Sequence, residues 1–125
     1  MSMVLADTSV WIDHFRHRDE ELVRLLEAGL LVMHPFIIGE LACGSLAHRG
    51  EVLYMLAQLP AVTEATHNEA LTLLDQRKLA GTGLGWIDVN LLASSLISGC
   101  QIWTRDHRLH TAARSLEQSP FARGA

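Results

Sequence analysis

Four carboxylates sit where a carboxylate is either costly or conspicuous. Glu40 lies in Phe36-Ile37-Ile38-Gly39-Glu40-Leu41-Ala42-Cys43, and Asp88 in Trp86-Ile87-Asp88-Val89-Asn90-Leu91-Leu92-Ala93; each is the only charge in a long apolar run. An isolated buried carboxylate is expensive, so each of these needs a partner or a cation. Asp7 closes the apolar run Met3-Val4-Leu5-Ala6, and Asp106 follows Gln101-Ile102-Trp103-Thr104 by one residue. Gathered in one cleft, the four would repel one another and raise their own pKa values. A divalent cation reverses that penalty, and an all-oxygen donor set selects Mg²⁺ or Mn²⁺. Such an ion activates a bound water and offsets charge on a phosphate, which indicates phosphodiester hydrolysis. Plainer roles stay open for each acid taken alone: Asp7 and Asp106 as helix caps, Asp88 as an acid favoured near a helix N-terminus, and Glu40 as the partner of a core arginine.

The elements that would position these acids can be read from apolar patterning. The run 3–6 is too short for a helix and suits a strand buried on both faces. Thr8 or Ser9 is expected to cap a following helix that carries Val10, Trp11, Ile12 and Phe15. A second helix spans about 19–28, ended by Gly29, and residues 30–33 form a second strand. Pro35 suits the first turn of a helix to about residue 46. Further helices are expected over 51–59, from Thr66 or Asn68 to 79, over 86–98, and over 105–114. Residues 61–62 read as a minimal strand and 101–104 as another, while a fifth strand has no clear location in the tail after Ser115. Strands alternating with helices pair in parallel, because parallel strands need long crossovers. The expected fold is therefore α/β: a three-layer α/β/α sandwich around a parallel sheet of four to five strands. Sites in such sheets form beyond the carboxyl ends of the strands, which is where Asp7 and Asp106 fall.

The chain has 125 residues, which suits a single domain over 1–125. Its 49% hydrophobic content can build a core, so global disorder is excluded. Its 14 acids against 10 Lys plus Arg give a net charge of −4, a balance that argues against a broad nucleic-acid-binding face. Without the four conspicuous acids the remaining 10 equal the 10 bases, so the surplus is the candidate site itself. RNA engagement is then expected to depend on metal more than on a general basic surface. Cys43 and Cys100 form no CxxC pair and read as buried, reduced thiols. The N-terminus does not resemble a signal peptide, and no apolar stretch approaches the roughly 20 residues that span a bilayer; the expected location is cytoplasmic.

The four acid-bearing segments together resemble a known family. Ala6-Asp7-Thr8-Ser9-Val10-Trp11-Ile12-Asp13 is similar to the opening motif of PIN-domain nucleases, and specifically of VapC toxins from bacterial toxin–antitoxin pairs. Ile38-Gly39-Glu40-Leu41, Trp86-Ile87-Asp88-Val89-Asn90-Leu91-Leu92-Ala93-Ser94 and Trp103-Thr104-Arg105-Asp106-His107-Arg108-Leu109 resemble the second, third and fourth motifs in order. The resemblance runs from about residue 3 to 113. It implies a metal-dependent endoribonuclease that cleaves RNA, forms a homodimer, and is inhibited by a cognate VapB-type antitoxin inserting a segment into the cleft. It also makes Asp7, Glu40, Asp88 and Asp106 the metal-binding and catalytic acids, with Ser9 and Thr104 as supporting hydroxyls. Capping or a strand-end hydrogen bond is an equal alternative for those two. Asn90 is a weaker candidate, since two helical positions after Asp88 it points roughly 200° away. Arg108 and Leu109 depart from the acid and aromatic common at that point of the fourth motif. Two other readings keep the fold: a structure-specific RNA or DNA processing nuclease, and a non-catalytic protein-binding module.

Other candidates carry less. The seven histidines include the pairs His14/His17 and His107/His110, but no spacing completes a zinc set, so they read as surface residues. Gly81-Thr82-Gly83-Leu84-Gly85 follows a helix and lacks the lysine of a P-loop, so it reads as a flexible connector bordering the groove. Trp11, Trp86 and Trp103 read as core, and Arg16, Arg18, Arg49, Arg105 and Arg108 as solvated surface.

Overall fold

The computed structural model describes residues 2–116. Three short strands, β1 (Val4–Ala6), β2 (Leu31–Val32) and β3 (Gln101–Trp103), form a parallel sheet of order β2-β1-β3. In the register, Val4 pairs with Leu31 and Gln101, Leu5 with Val32 and Ile102, and Ala6 with Trp103. Val4, Leu5 and Ala6 are all buried. Successive strand residues face opposite sides, so helices cover the central strand on both faces, as the α/β sandwich requires.

The helices are α1 (Thr8–Arg16), α2 (Glu20–Glu27), α3 (Pro35–Cys43), α4 (Arg49–Ala57), α5 (His67–Gln76), α6 (Trp86–Ser98) and α7 (His107–Ser115). Helix α6 is buried without a break from Val89 to Ser95 and is the central helix its apolar sequence predicts. It stops at Gly99, whose φ of 68° is left-handed. Pro35 opens α3 at a position where its missing N–H costs nothing. Thr66 and Glu69 cap α5 reciprocally.

The sheet has three strands among the described residues rather than four to five. Residues 61–62 make only an isolated parallel bridge, Ala61 to Met33. Met33 N donates to Pro60 O (2.8 Å) and Val62 N to Met33 O (2.9 Å), but Pro60 has no N–H to extend the ladder. The next amide, Thr63 N, goes instead to Ser98 Oγ on α6 (2.8 Å). The tail in which a fifth strand is expected lies outside the described residues, apart from Ser115, which ends α7, and Leu116, its C-cap.

Several burial expectations change. Trp11 and Trp103 are buried, but Trp86, at the first position of α6, is 39% exposed, with its ring 5.1 Å from that of His67. His34 and His110 are buried rather than superficial. Cys43 is a free, exposed thiol at the end of α3, whereas Cys100 is free and buried. No helix among the described residues is long and apolar enough to cross a membrane.

Candidate active site

The central strand determines where the first carboxylate points. Asp7 leaves β1 with its N–H still bonded to Trp103 O of β3 (3.0 Å), then turns to cap α1. The cap is Asp7 itself, not Thr8 or Ser9: its Oδ1 accepts from Val10 N at 3.3 Å. The two hydroxyls expected to support it do touch it. Ser9 Oγ donates to Oδ1 and Thr104 Oγ1 to Oδ2, both at 2.5 Å. Burial pushes the Asp7 carboxyl above its ordinary range, and the donors from Ser9, Thr104 and Val10 partly offset that rise.

Thr104 carries the link to the fourth motif. Its Oγ1 accepts from Asp106 N (3.0 Å), and Arg105 N donates to Ser9 Oγ (2.9 Å). Asp106 then caps α7, its Oδ1 accepting from Leu109 N (2.9 Å). The carboxyl ends of β1 and β3 are thus joined by side-chain hydroxyls just beyond the last rung of the ladder. Arg105 fastens this segment further. It is ion-paired with Asp13 of α1 (3.2 Å) and with Asp19, the α2 cap (2.6 Å), and lies 5.4 Å from the Trp103 ring centroid. The solvated role expected for Arg105 is therefore replaced by a structural one. Charge-pair spacing within one element could not reveal it, because the partners are separated in sequence.

Asp88 sits at the third position of α6, where Oδ2 accepts from Gly85 N (3.2 Å). Its carboxyl is raised by burial first, and also by the negative charges of Asp106 and Glu40, while the Gly85 N–H opposes the rise. Three of the four acids therefore share one electrostatic field. Glu40 is exposed and pairs with no arginine among the described residues; Thr8 Oγ1 donates to its Oε1 at 2.7 Å. That contact was not foreseen, although Thr8 directly follows Asp7. Asn90 turns away as its helical phase predicts, donating to Trp86 O (2.9 Å). Glu40 also edges a cavity of about 640 Å³ bounded by Ile12, Phe15, Leu41, Leu46 and Val52.

The donor set is hard oxygen throughout, and the elevation at Asp88 is what a cation would relieve. As placed, no three His, Cys, Asp or Glu side chains among the described residues converge closely enough to hold one ion. Mg²⁺ does not require such a cage; it commonly takes one or two carboxylates and keeps several waters.

The family model of the PIN domain matches residues 4–115. The chain belongs to the PIN domain family. This PIN domain is also similar to Ribonuclease VapC32 of Mycobacterium tuberculosis, recorded in two strains. Over 111 residues the identity is 49%, covering 88% of this chain and 90% of the relative. All four acid-bearing segments of the PIN domain lie within the matched range.

Proposed function

We propose that the chain is a metal-dependent endoribonuclease of the VapC type, the toxin of a toxin–antitoxin pair, acting as a single domain on RNA phosphodiester bonds. The observation that carries this reading is the Asp88 carboxyl, raised by burial and by the negative charges of Asp106 and Glu40, together with the buried Asp7 held by the Ser9 and Thr104 hydroxyls. The 49% identity to a ribonuclease supports the substrate class.

In this reading Asp7, Glu40, Asp88 and Asp106 hold Mg²⁺ or Mn²⁺. When bound, the ion supplies an activated water and positive charge against the phosphate. The protein's own work is positional. Ser9 and Thr104 oppose the rise that burial imposes on the Asp7 carboxyl and fix its rotamer. Gly85 N–H orients Asp88, and Leu109 N–H orients Asp106. Thr8 steadies Glu40 at the open edge. Inhibition by a VapB-type antitoxin would use the apolar cavity beside Glu40. The expected homodimer has exposed apolar surface available at Leu71 and Ile97 of α5 and α6.

The test is cleavage of labelled RNA by purified wild type and Asp7→Asn, with Mg²⁺, with Mn²⁺ and with EDTA. Activity should require the metal and vanish in the variant; full activity in either EDTA or the variant would overturn the mechanism. A substrate panel of tRNA, rRNA and flap DNA separates a toxin from a general processing nuclease.

A further inference from the structure

A second charged feature lies along α7, next to the carboxylates but chemically opposite to them. A pocket of about 340 Å³ is bordered by Arg77 and Lys78 from the end of α5, Thr82 from the glycine-rich loop, and His107, Arg108 and Thr111 from α7. No acid lines it. Among the described residues, Arg77, Lys78 and Arg108 have no ion-pair partner; the same is true of Arg16, Arg49 and Arg114, but Arg77, Lys78 and Arg108 border one pocket. Three free cations thus gather in one place on a chain whose net charge is −4.

Helix dipoles explain only half of this cluster. Arg77 and Lys78 follow the C-terminal turn of α5, where cations are favoured. His107 and Arg108 occupy the first turn of α7, where cations are disfavoured, and that turn contains no acid. Bringing Arg108 to the α5 cations adds like-charge repulsion. The backbone is specialised for the arrangement. Lys78 has a left-handed φ of 54°, and Gly83 has a φ of 91°. A Cβ on Gly83 would stand 2.6 Å from Arg108 Cδ and Nε, so only glycine lets the Arg108 side chain lie across this loop.

We propose that this pocket binds a backbone phosphate of the RNA strand, away from the bond being cleaved. The proposal rests on the ribonuclease reading above. Its position fits: Asp106 caps the helix that supplies His107 and Arg108, and the loop carrying Thr82 and Gly83 ends at Gly85, whose N–H holds Asp88. A strand lying over those two carboxylates therefore continues onto the pocket. Leu79 and Ala112 also line the pocket, and its cations with the Thr111 hydroxyl suit a phosphate diester, which offers charge and acceptors.

The test is fluorescence anisotropy with a labelled single-stranded RNA, in Mg²⁺ and over a salt series, with cleavage blocked by Asp7→Asn in every protein. Adding Arg108→Gln, or Arg77→Gln with Lys78→Asn, should weaken binding about fivefold and flatten the log–log salt dependence by roughly 0.7 per lost contact. Arg108→Lys should recover most of the affinity, and Arg18→Gln should have no effect. In otherwise wild-type enzyme, the same changes should raise KM with kcat nearly unchanged. Unchanged RNA binding in the pocket variants would overturn the proposal and favour an acidic protein partner; an equal loss in Arg18→Gln would reduce the effect to bulk charge and overturn it as well. If the wild-type protein in Mg²⁺ or Mn²⁺ neither binds nor cleaves RNA while remaining folded by circular dichroism, the ribonuclease reading fails and the pocket assignment fails with it.

Discussion

Thr104 Oγ1 donates to Asp7 Oδ2 at 2.5 Å while accepting from Asp106 N at 3.0 Å, so one hydroxyl couples two candidate catalytic acids 99 positions apart. The two strands that bring these residues together are adjacent and parallel, and both end at the same edge of the sheet.

Replacing that hydroxyl with a methyl group should affect both acids. In Thr104→Val the Asp7 carboxylate loses a donor and the half-buried Asp106 N–H loses its acceptor. The expected cost is about 1–3 kcal/mol of stability and at least a tenfold loss of kcat. The sign of the pH effect follows from the lost donor: without it the Asp7 carboxyl rises further, so the acid limb of the pH–rate profile moves to higher pH. Thr104→Ser should largely preserve both properties. Chemical denaturation and a pH–rate series would check these outcomes.

Asp7→Asn should inactivate the enzyme yet stabilise the metal-free fold. The folded-state carboxyl is raised above its ordinary value of 3.8, mainly by burial. The folded state therefore binds more protons than the unfolded state from pH 3.8 upward, and stability falls as pH rises through the elevated value. At neutral pH the carboxyl is therefore a net cost that asparagine removes. Thermal melts in EDTA should place the variant above wild type at pH 7 and show the gap closing below pH 3.8. A variant melting lower at pH 7 would contradict this.

Much of this arrangement was legible in the sequence because it follows from local chemistry. The β1 run ends on Asp7, Gly29 and Gly99 stop their helices, and Asp88 and Glu40 stand out as charges in apolar helices. What stayed hidden depends on contacts between distant segments. Pro60 and the Thr63–Ser98 bond prevent residues 61–62 from becoming a strand, and that bond is tertiary. The Arg105 clamp joins α1, α2 and the end of β3, so no single window contains it. Trp86 shares the apolar pattern of α6, but its place on the first turn leaves its ring outside the core.

Arg105→Ala should reveal that clamp. The guanidinium bridges Asp13 and Asp19, and the Asp19 carboxylate is only 17% exposed. Losing a hydrogen-bonded charge there should cost about 2 kcal/mol and lower kcat, because the Thr104–Asp106 segment loses an anchor to α1 and α2. Lys cannot present two donors in a fixed fork, so Arg105→Lys should recover only part of the loss. Denaturant titration together with kcat and KM would check the prediction; a KM-only effect would indicate an RNA contact instead.

Acid should loosen the fold through His34. Its ring is 1% exposed, and Nδ1 accepts from Phe36 N at 3.0 Å to cap α3, the helix that carries Glu40. Burial lowers its pKa from 6.5, outweighing the opposing pull of Glu64. The unfolded chain therefore binds the proton first, so stability is complete above pH 6.5 and declines as pH falls from there through the depressed folded value. Protonation at Nδ1 would also convert the cap's acceptor into a donor facing the Phe36 N–H. His34→Asn retains an N-cap acceptor without the titration. It should lower stability at pH 7.5 through lost packing, yet flatten the decline between pH 6.5 and 5. Melting temperatures across that range would decide the matter, and a wild-type slope retained in the variant would assign the acid sensitivity to another group.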